Sequence, residues 1–507
     1  MLVRSCTRCT AKLRAPVFKA AAPHAPAARF QCRRYSMPAG GAPVSPAGPV
    51  TGVGALAPFV SELDRLAPSF DVRGDQIRII KTPAEFYETL KVRRDGLRVK
   101  RGDLHHRRER REHLGLMPGL GPNPQRPEPH LPVDAVHWQV GEGAHRDAAG
   151  GAATDAGAQA EHPERCAARH AGGARPVERF VAGAAGDGVW RGPRRDPHDR
   201  YHLFSSKEIT EHFWQVHSGV ASFSFLVKPS QDEAAGFTLA WPKSNSAPSP
   251  LEKPESFIKS TTSTLQALIQ PGAMPTSGDI TDTRVYMLGQ MSQIMKPDTS
   301  TELPIVTHIL KTLGSPAYRD SSWTFTAGYF NPAPSLTKLL MGTASSNNTV
   351  ITAHPEANGF YQSKGVSGLL PDAYTLLARR FLHRVHHEGR DASITLKEWR
   401  HGVVGQPGGW TYHAKGLWVT MPGDAHPAMS IIGSSNYTKR SYSHDLEAGA
   451  LIVTRDDGLK AQLADEQRWL QEHAARVTRD DLAVNERRVG LKVRVAMWIV
   501  SLVGGAL

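Results

Sequence analysis

From Arg200 to Ala474 the chain alternates short β-branched or aromatic runs with stretches whose apolar residues recur at helical spacing. That alternation restricts this part of the chain to the layered α/β class, a mixed sheet flanked by helices. Ser206-Lys-Glu-Ile-Thr-Glu-His-Phe-Trp opens on a capping Ser with Glu208 in its first turn, so a helix is expected. Ser222 to Val227 reads as a strand, and 229–260, rich in Pro, Ser and Lys, as a long loop. Thr262 to Ile269 and Thr301 to Leu313 are helix candidates. Trp323 to Phe330 reads as a strand, Ser335 to Met341 as a helix and Asn348 to Ala353 as a strand. Pro371 to His387 is expected to be a helix with Tyr374, Leu377, Phe381 and Val385 on its apolar face. His383, His386 and His387 at its end complement the helix dipole. Leu459, Leu463, Leu470 and Ala474 would line one side of a last long helix. Upstream, Ser61 to Leu66, Phe70 to Ile80 and Pro83 to Leu90 give a short helix, a strand and a helix opened by its Pro.

The pattern stops at Arg93 and resumes at Arg200. Residues 93–199 contain no Ser, no Ile and no Tyr, and one Lys, Lys100, while Arg, Gly, Ala, Pro and His abound. Such a composition lacks the residues strands need and shows no helical apolar period. Three readings stand: a disordered insertion, an Arg-rich nucleic-acid-binding segment, or translation of the wrong frame across a GC-rich exon. The sharp edges, with ordinary sequence resuming at Arg200-Tyr-His-Leu-Phe, favour the frame shift.

Charge follows the same divisions. The formal +13 of the 507 residues is concentrated outside the α/β body: residues 1–61 hold eight Lys and Arg and no acid, and 93–199 hold eighteen basic against fifteen acidic residues. The remainder is within two charges of neutral, so the high pI gives little support to a polyanion partner. Residues 1–36, Arg- and Ala-rich and without acid, match a mitochondrial targeting segment, with Arg33-Arg34-Tyr35-Ser36 resembling a processing site. Residues 37–60, mostly Pro, Gly and Ala, read as a linker. Of the four cysteines, Cys6, Cys9 and Cys32 fall in the N-terminal stretch and only Cys166 beyond it. No partner pair follows Cys6-x-x-Cys9, which leaves neither a zinc site nor a disulfide framework. At the other end, 481–507 is an apolar tail. Its uncharged part, Val495 to Leu507, is thirteen residues long, short of the roughly 20 that cross a bilayer. An interfacial membrane anchor is expected.

The chemistry gathers between Trp410 and Thr454. His413 and Lys415 are two apart, so an extended chain points both to one face. The run Met429-Ser-Ile-Ile ends in Gly433-Ser434-Ser435-Asn436, a turn that presents hydroxyls, an amide and backbone N–H groups to an anion. Asp445 and Glu447 follow, again two apart. Together these groups suit attack on a phosphodiester. Gly328-Tyr329-Phe330-Asn331-Pro332 is expected to form a strand-ending turn near them.

His413-Ala-Lys415-Gly-Leu-Trp, Gly433-Ser434-Ser435-Asn436-x-x-x-Arg440-Ser441 and His444-Asp445-Leu446-Glu447-Ala448 resemble the second H-x-K, the G-S-x-N-x-x-x-R-S element and the H-x-D-L-E-A ending of the phospholipase D superfamily. Within it the resemblance is to the eukaryotic mitochondrial phosphatidylglycerophosphate synthases. It extends to Phe70–Leu90, Asp199–Val227 and, more loosely, Trp323–Gly402. Thr420 stands where the superfamily's general pattern has an Asp, a loss this group tolerates. The group also carries an upstream H-x-K. None exists in residues 93–199, so the sequence holds one half-site.

The resemblance implies two pseudo-symmetric α/β lobes, 61–295 and 296–480, sharing one site. It implies phosphatidyl transfer from CDP-diacylglycerol to glycerol 3-phosphate at the surface of the mitochondrial inner membrane, in the cardiolipin pathway, with no metal or other cofactor and no nucleic-acid partner. The missing upstream His would be the nucleophile and His413 the general acid/base. Lys415 and Asn436 would bind phosphate with the Ser434 hydroxyl beside them. Asp445 and Glu447 would orient an imidazole, or else pair with Arg440 or Lys439. Two other classes remain open: a superfamily phosphodiesterase acting on nucleic-acid ends, and a non-catalytic membrane-associated relative.

Overall fold

In the computed structural model the described residues are 53–90, 180–183, 196–230, 236–271 and 281–502. The targeting segment and most of the anomalous stretch therefore lie outside them. The central element is a nine-stranded mixed sheet. In spatial order its strands are β1 (Ser69–Val72), β8 (Thr283–Gln290), β15 (Glu447–Thr454), β14 (Met429–Gly433), β13 (Gly416–Thr420), β9 (Ser322–Thr326), β10 (Asn348–Ala353), β11 (Ile394–Trp399) and β16 (Ala474–Val477). Pairing is antiparallel from β1 to β9, parallel through β9, β10 and β11, and antiparallel again at β16. Strands from both expected lobes thus share one sheet, with β8 paired to β15 over eight residues.

The sheet is covered on both faces, and its strands are apolar on both sides for that reason. Along β15, Leu451 and Val453 enter one core, while Ala450 and Ile452 enter the other. The first core is closed by helices α1 (Val53–Leu66), α5 (Glu302–Thr312), α6 (Pro334–Met341) and α7 (Leu370–His387). The second is closed by α3 (Lys207–Ala221) and α8 (Asp457–Trp469). A three-stranded sheet lies beside it, with β5 (Tyr201–Phe204) between β2 (Ile77–Ile80) and β3 (Phe180–Gly183). Residues 83–90 form α2, and β6 (Leu226–Pro229) pairs with β7 (Phe237–Ala240) as a separate hairpin.

Several expectations are corrected. Residues 53–60 of the expected linker are helical: Leu56, Phe59 and Leu63 of α1 are buried, each worth about 1.5–3 kcal/mol when fully removed from water. The expected strand at Ser222 begins at Leu226, because the Ser206-capped helix continues to Ala221. The expected loop 229–260 contains β7 and the first turns of α4 (Pro254–Ile269), which has Pro at its opening turn. Ala474 begins β16 and does not continue α8, which ends at Trp469. The tail supplies a ninth helix, α9 (Leu491–Leu502). No described helix is long and apolar enough to cross a membrane.

Candidate active site

The site is built where two short strands meet. β12 (Trp410–Tyr412) runs parallel to β4 (Asp196–His198), and the His413 amide donates to the His198 carbonyl at 3.0 Å. This pairing sets His413 against Asp199, which is 2% exposed, with Asp199 Oδ2 at 3.1 Å from His413 Nδ1. Lys415, also 2% exposed, returns its Nζ to 2.9 Å from Nδ1 and 2.8 Å from Nε2, and donates to the His413 carbonyl at 2.9 Å. With Nδ1–H donating to Asp199, the Nε2 lone pair accepts from the ammonium.

Beneath this cluster a buried cation fixes the backbone. Arg200 donates to the carbonyls of Lys415 and Ile431 at 3.2 and 2.6 Å, to Ser430 Oγ at 2.8 Å, and to both oxygens of Glu466 at 3.0 and 2.8 Å. Its guanidinium lies 3.8 Å from the Trp418 ring centroid. The approach requires glycine at 416, where φ is +152° and a Cβ would stand 1.9 Å from Arg200 Nη1. Glu466 also receives Trp418 Nε1 at 3.0 Å and faces His202 Nε2 at 2.8 Å. Burial alone would raise the Glu466 carboxyl, but Arg200 and His202 hold it down at about 2.

The phosphate-turn residues divide between two tasks. Ser434 Oγ donates to Glu447 Oε2 at 2.5 Å and accepts from the Ala448 amide at 3.2 Å, so it is engaged with the start of β15. Asn436 Oδ1 accepts from the Tyr329 amide at 3.4 Å, leaving its Nδ2 as a donor. Tyr437 takes a left-handed φ of 59° to complete the turn. The Tyr329 ring meets His413 edge-on, 5.7 Å between centroids, and stacks on Tyr374 at 5.5 Å. Gly328 lets this turn sit against β12, since a Cβ there would lie 2.7 Å from the Tyr412 carbonyl. Burial pushes Glu447 up to about 8; Glu302 and Asp445 add to the shift while the Ser434 hydroxyl and Lys415 oppose it. Burial likewise raises Glu302 to about 7 against the Ser435 and Tyr442 hydroxyls. Both carboxyls therefore hold their protons to higher pH than an exposed glutamate does.

His413, Lys415 and Asn436 come together with the Gly328–Pro332 turn beside them. The carboxylate at the His413 imidazole is Asp199, and of the two roles expected for Asp445 and Glu447 the structure shows for Asp445 the pairing with Arg440. Asp445 bonds Arg440 at 3.1 Å, and Glu447 is buried against Ser434. Asp199 could have been found at the start of the resembling stretch Asp199–Val227. Tyr374 could not, because helical periodicity assigns it to the core. The arrangement is a held imidazole, a buried ammonium and an amide, the groups needed to protonate a leaving oxygen and bind the charge that develops on phosphate.

These features define an α/β protein with an H-x-K, G-S-x-N site. No family model matches the chain. It is homologous to proteins named CDP-diacylglycerol–glycerol-3-phosphate 3-phosphatidyltransferase. The one from Saccharomyces cerevisiae is 40% identical over 315 residues, covering 60% of this chain and 60% of that protein. That from Schizosaccharomyces pombe is 29% identical over 480 residues, covering 82% and 92%. The human protein, named as mitochondrial, is 35% identical over 221 residues, covering 43% and 37%. The chain thus matches about 60% of the length of the budding-yeast relatives. Among solved structures, a phosphatidylserine synthase from Haemophilus influenzae superposes with a TM-score of 0.45 and 17% identity over 64% of this chain and 66% of that one.

Proposed function

We propose that this chain carries one half of a site for phosphatidyl transfer from CDP-diacylglycerol to glycerol 3-phosphate, giving phosphatidylglycerophosphate and CMP in the cardiolipin pathway. The observation that carries the reading is the Asp199–His413–Lys415 cluster beside Asn436, together with relatives that bear this activity's name. A histidine nucleophile attacks phosphorus, and His413, entering this step as the imidazolium, gives its Nε2 proton to the departing CMP oxygen. The glycerol 3-phosphate hydroxyl then attacks the phosphohistidine, and its proton returns to Nε2. Asp199 keeps Nδ1–H oriented and stabilises the imidazolium form. Lys415 and Asn436 bind the non-bridging oxygens.

The nucleophile is not in this sequence: His413-Ala-Lys415 is its only H-x-K. As written, the chain is a transferase framework without its attacking group. The two-lobe organisation, the mitochondrial location and the membrane surface as working place belong to the same proposal. They are supported by the acid-free N-terminus, the mitochondrial human relative and the apolar tail.

The test is CMP release from CDP-diacylglycerol and glycerol 3-phosphate by two purified proteins: this chain, and a restored chain in which 93–198 is replaced by an in-frame translation that bears H-x-K and runs into Asp199. The expected result is turnover by the restored chain alone, abolished by His413→Ala. Turnover by the unrestored chain contradicts the two-histidine mechanism. A restored chain that is inert here but cleaves a DNA 3′-phosphodiester moves the reading to the nucleic-acid class.

A further inference from the structure

Helix α9 is apolar on two opposite faces, one packed on α7 and the other largely exposed. Val493 and Met497 are buried against Ala373 of α7, with Leu369, Leu376, Leu377 and Val489 around them. On the other side Leu491, Val495, Trp498 and Ile499, at i, i+4, i+7 and i+8, form a continuous stripe that is 73%, 46%, 61% and 48% exposed. Helical geometry puts Lys492 on one flank of this stripe and Arg494 on the other, and both are exposed. Neither has an ion-pair partner among the described residues, and no acid occurs from Arg488 to Leu507.

We infer that this face of α9 lies in the surface of an anionic phospholipid bilayer, its apolar stripe among the acyl chains and Lys492 and Arg494 against lipid phosphates. A water-facing stripe containing Trp is unfavourable by itself, and a cation on each flank complements a plane of anionic headgroups. Such cations snorkel from the apolar boundary to the phosphates, while Trp sits at that boundary. A protein groove or a second copy of this chain would satisfy the stripe but leaves the two flanking cations without a stated counter-charge.

The placement has a consequence for the site, and this step rests on the transferase reading. α9 packs on Ala373, whose neighbour Tyr374 stacks on Tyr329, whose ring meets the edge of His413. One helix, α7, therefore connects the lipid-facing element to the imidazole. A donor whose reacting phosphate stands at headgroup level would meet the site without leaving the membrane.

The test uses the full chain and vesicles of phosphatidylcholine, alone or mixed with phosphatidylglycerol. Because residues 1–36 are also basic, flotation is read beside quenching by brominated acyl chains. The expected result is stronger quenching of the wild type than of Trp498→Phe on mixed vesicles. Val495→Asp/Ile499→Asp should lose that excess quenching and about tenfold in vesicle affinity at an unchanged melting temperature. Lys492→Gln/Arg494→Gln should reduce the preference for anionic vesicles. Equal quenching of the wild type and Trp498→Phe overturns the inference, as does full affinity in the double-Asp variant. A dimer in solution that the double-Asp variant abolishes, without Trp498 quenching, assigns the face to a second copy instead. CMP release from detergent-dispersed donor by the restored chain is read separately: its failure with quenching intact sinks the reaction and leaves the membrane helix standing.

Discussion

Asp199 and His413 are 214 positions apart, yet Asp199 Oδ2 stands 3.1 Å from the imidazole Nδ1, brought there by the pairing of β4 with β12. In the proposed reaction the contact leaves Nε2 as the nitrogen that exchanges a proton with a leaving or attacking oxygen, which makes Asp199 a positioning residue acting through His413. In the restored chain Asp199→Asn should lower kcat by about 10²- to 10⁴-fold, the range spanned by general acid–base contributions. KM for CDP-diacylglycerol should change little, since Lys415 and Asn436 are untouched. A KM effect with kcat preserved would mean that Asp199 serves the fold alone.

Glu466 is the counter-charge on which the backbone around Lys415 depends. Glu466→Gln leaves the Arg200 guanidinium buried with hydrogen bonds but without its charge partner, the situation in which breaking a buried pair costs about 3–5 kcal/mol. Urea unfolding should show a loss of that order at neutral pH. The wild-type carboxyl is held at about 2 in the fold against an ordinary value of 4.5. Its contribution is therefore present above pH 4.5 and lost as pH falls toward 2. The variant should lose less stability than the wild type across that acid window, and an unchanged acid limb would contradict the assignment.

How much of this was legible in the sequence depends on how local each signal is. Helices α5, α6 and α7 and strand β10 lie within a residue or two of expectation, because each carries its own periodicity or opening Pro. Helix α1 was hidden by Pro58 and a Pro, Gly and Ala composition that resembles linker. Ala474 kept the helical spacing of Leu459, Leu463 and Leu470 but pairs with Trp399, a contact no local pattern encodes. The motif located His413, Lys415 and Asn436, whereas the identity of the carboxylate at the imidazole is a tertiary fact. Asp445 and Glu447 were nearer in sequence, but their partners are Arg440 and Ser434.

Glu447 and Glu302 titrate in the opposite sense to Glu466. Burial raises them to about 8 and about 7 from an ordinary 4.5. Between those values the folded protein holds protons that the unfolded chain has released. Their contribution is therefore full below about pH 4.5 and lost as pH rises toward 8. The melting temperature of the wild type should fall across that window, and Glu447→Gln, neutral at every pH, should flatten the decline. An equally steep decline in the variant would mean that Glu447 is ionised in the fold.

The last prediction concerns the bases that encode residues 93–199. Of the described residues in that stretch, Phe180–Gly183 pairs with β5 as an edge strand, and Asp199 completes the His413 contact. The segment's end is thus joined to the α/β body although its composition is foreign to it. On the proposed reading, Asp199, Lys415 and Asn436 around His413 are the acid/base half of a two-histidine reaction. Translating 93–199 in the two other frames should yield, in one of them, a Ser- and Ile-bearing α/β sequence that contains H-x-K and runs into Asp199-Arg200-Tyr201. If neither frame holds an H-x-K, the chain as written is the genuine one, and a non-catalytic membrane-associated relative becomes the better description of it.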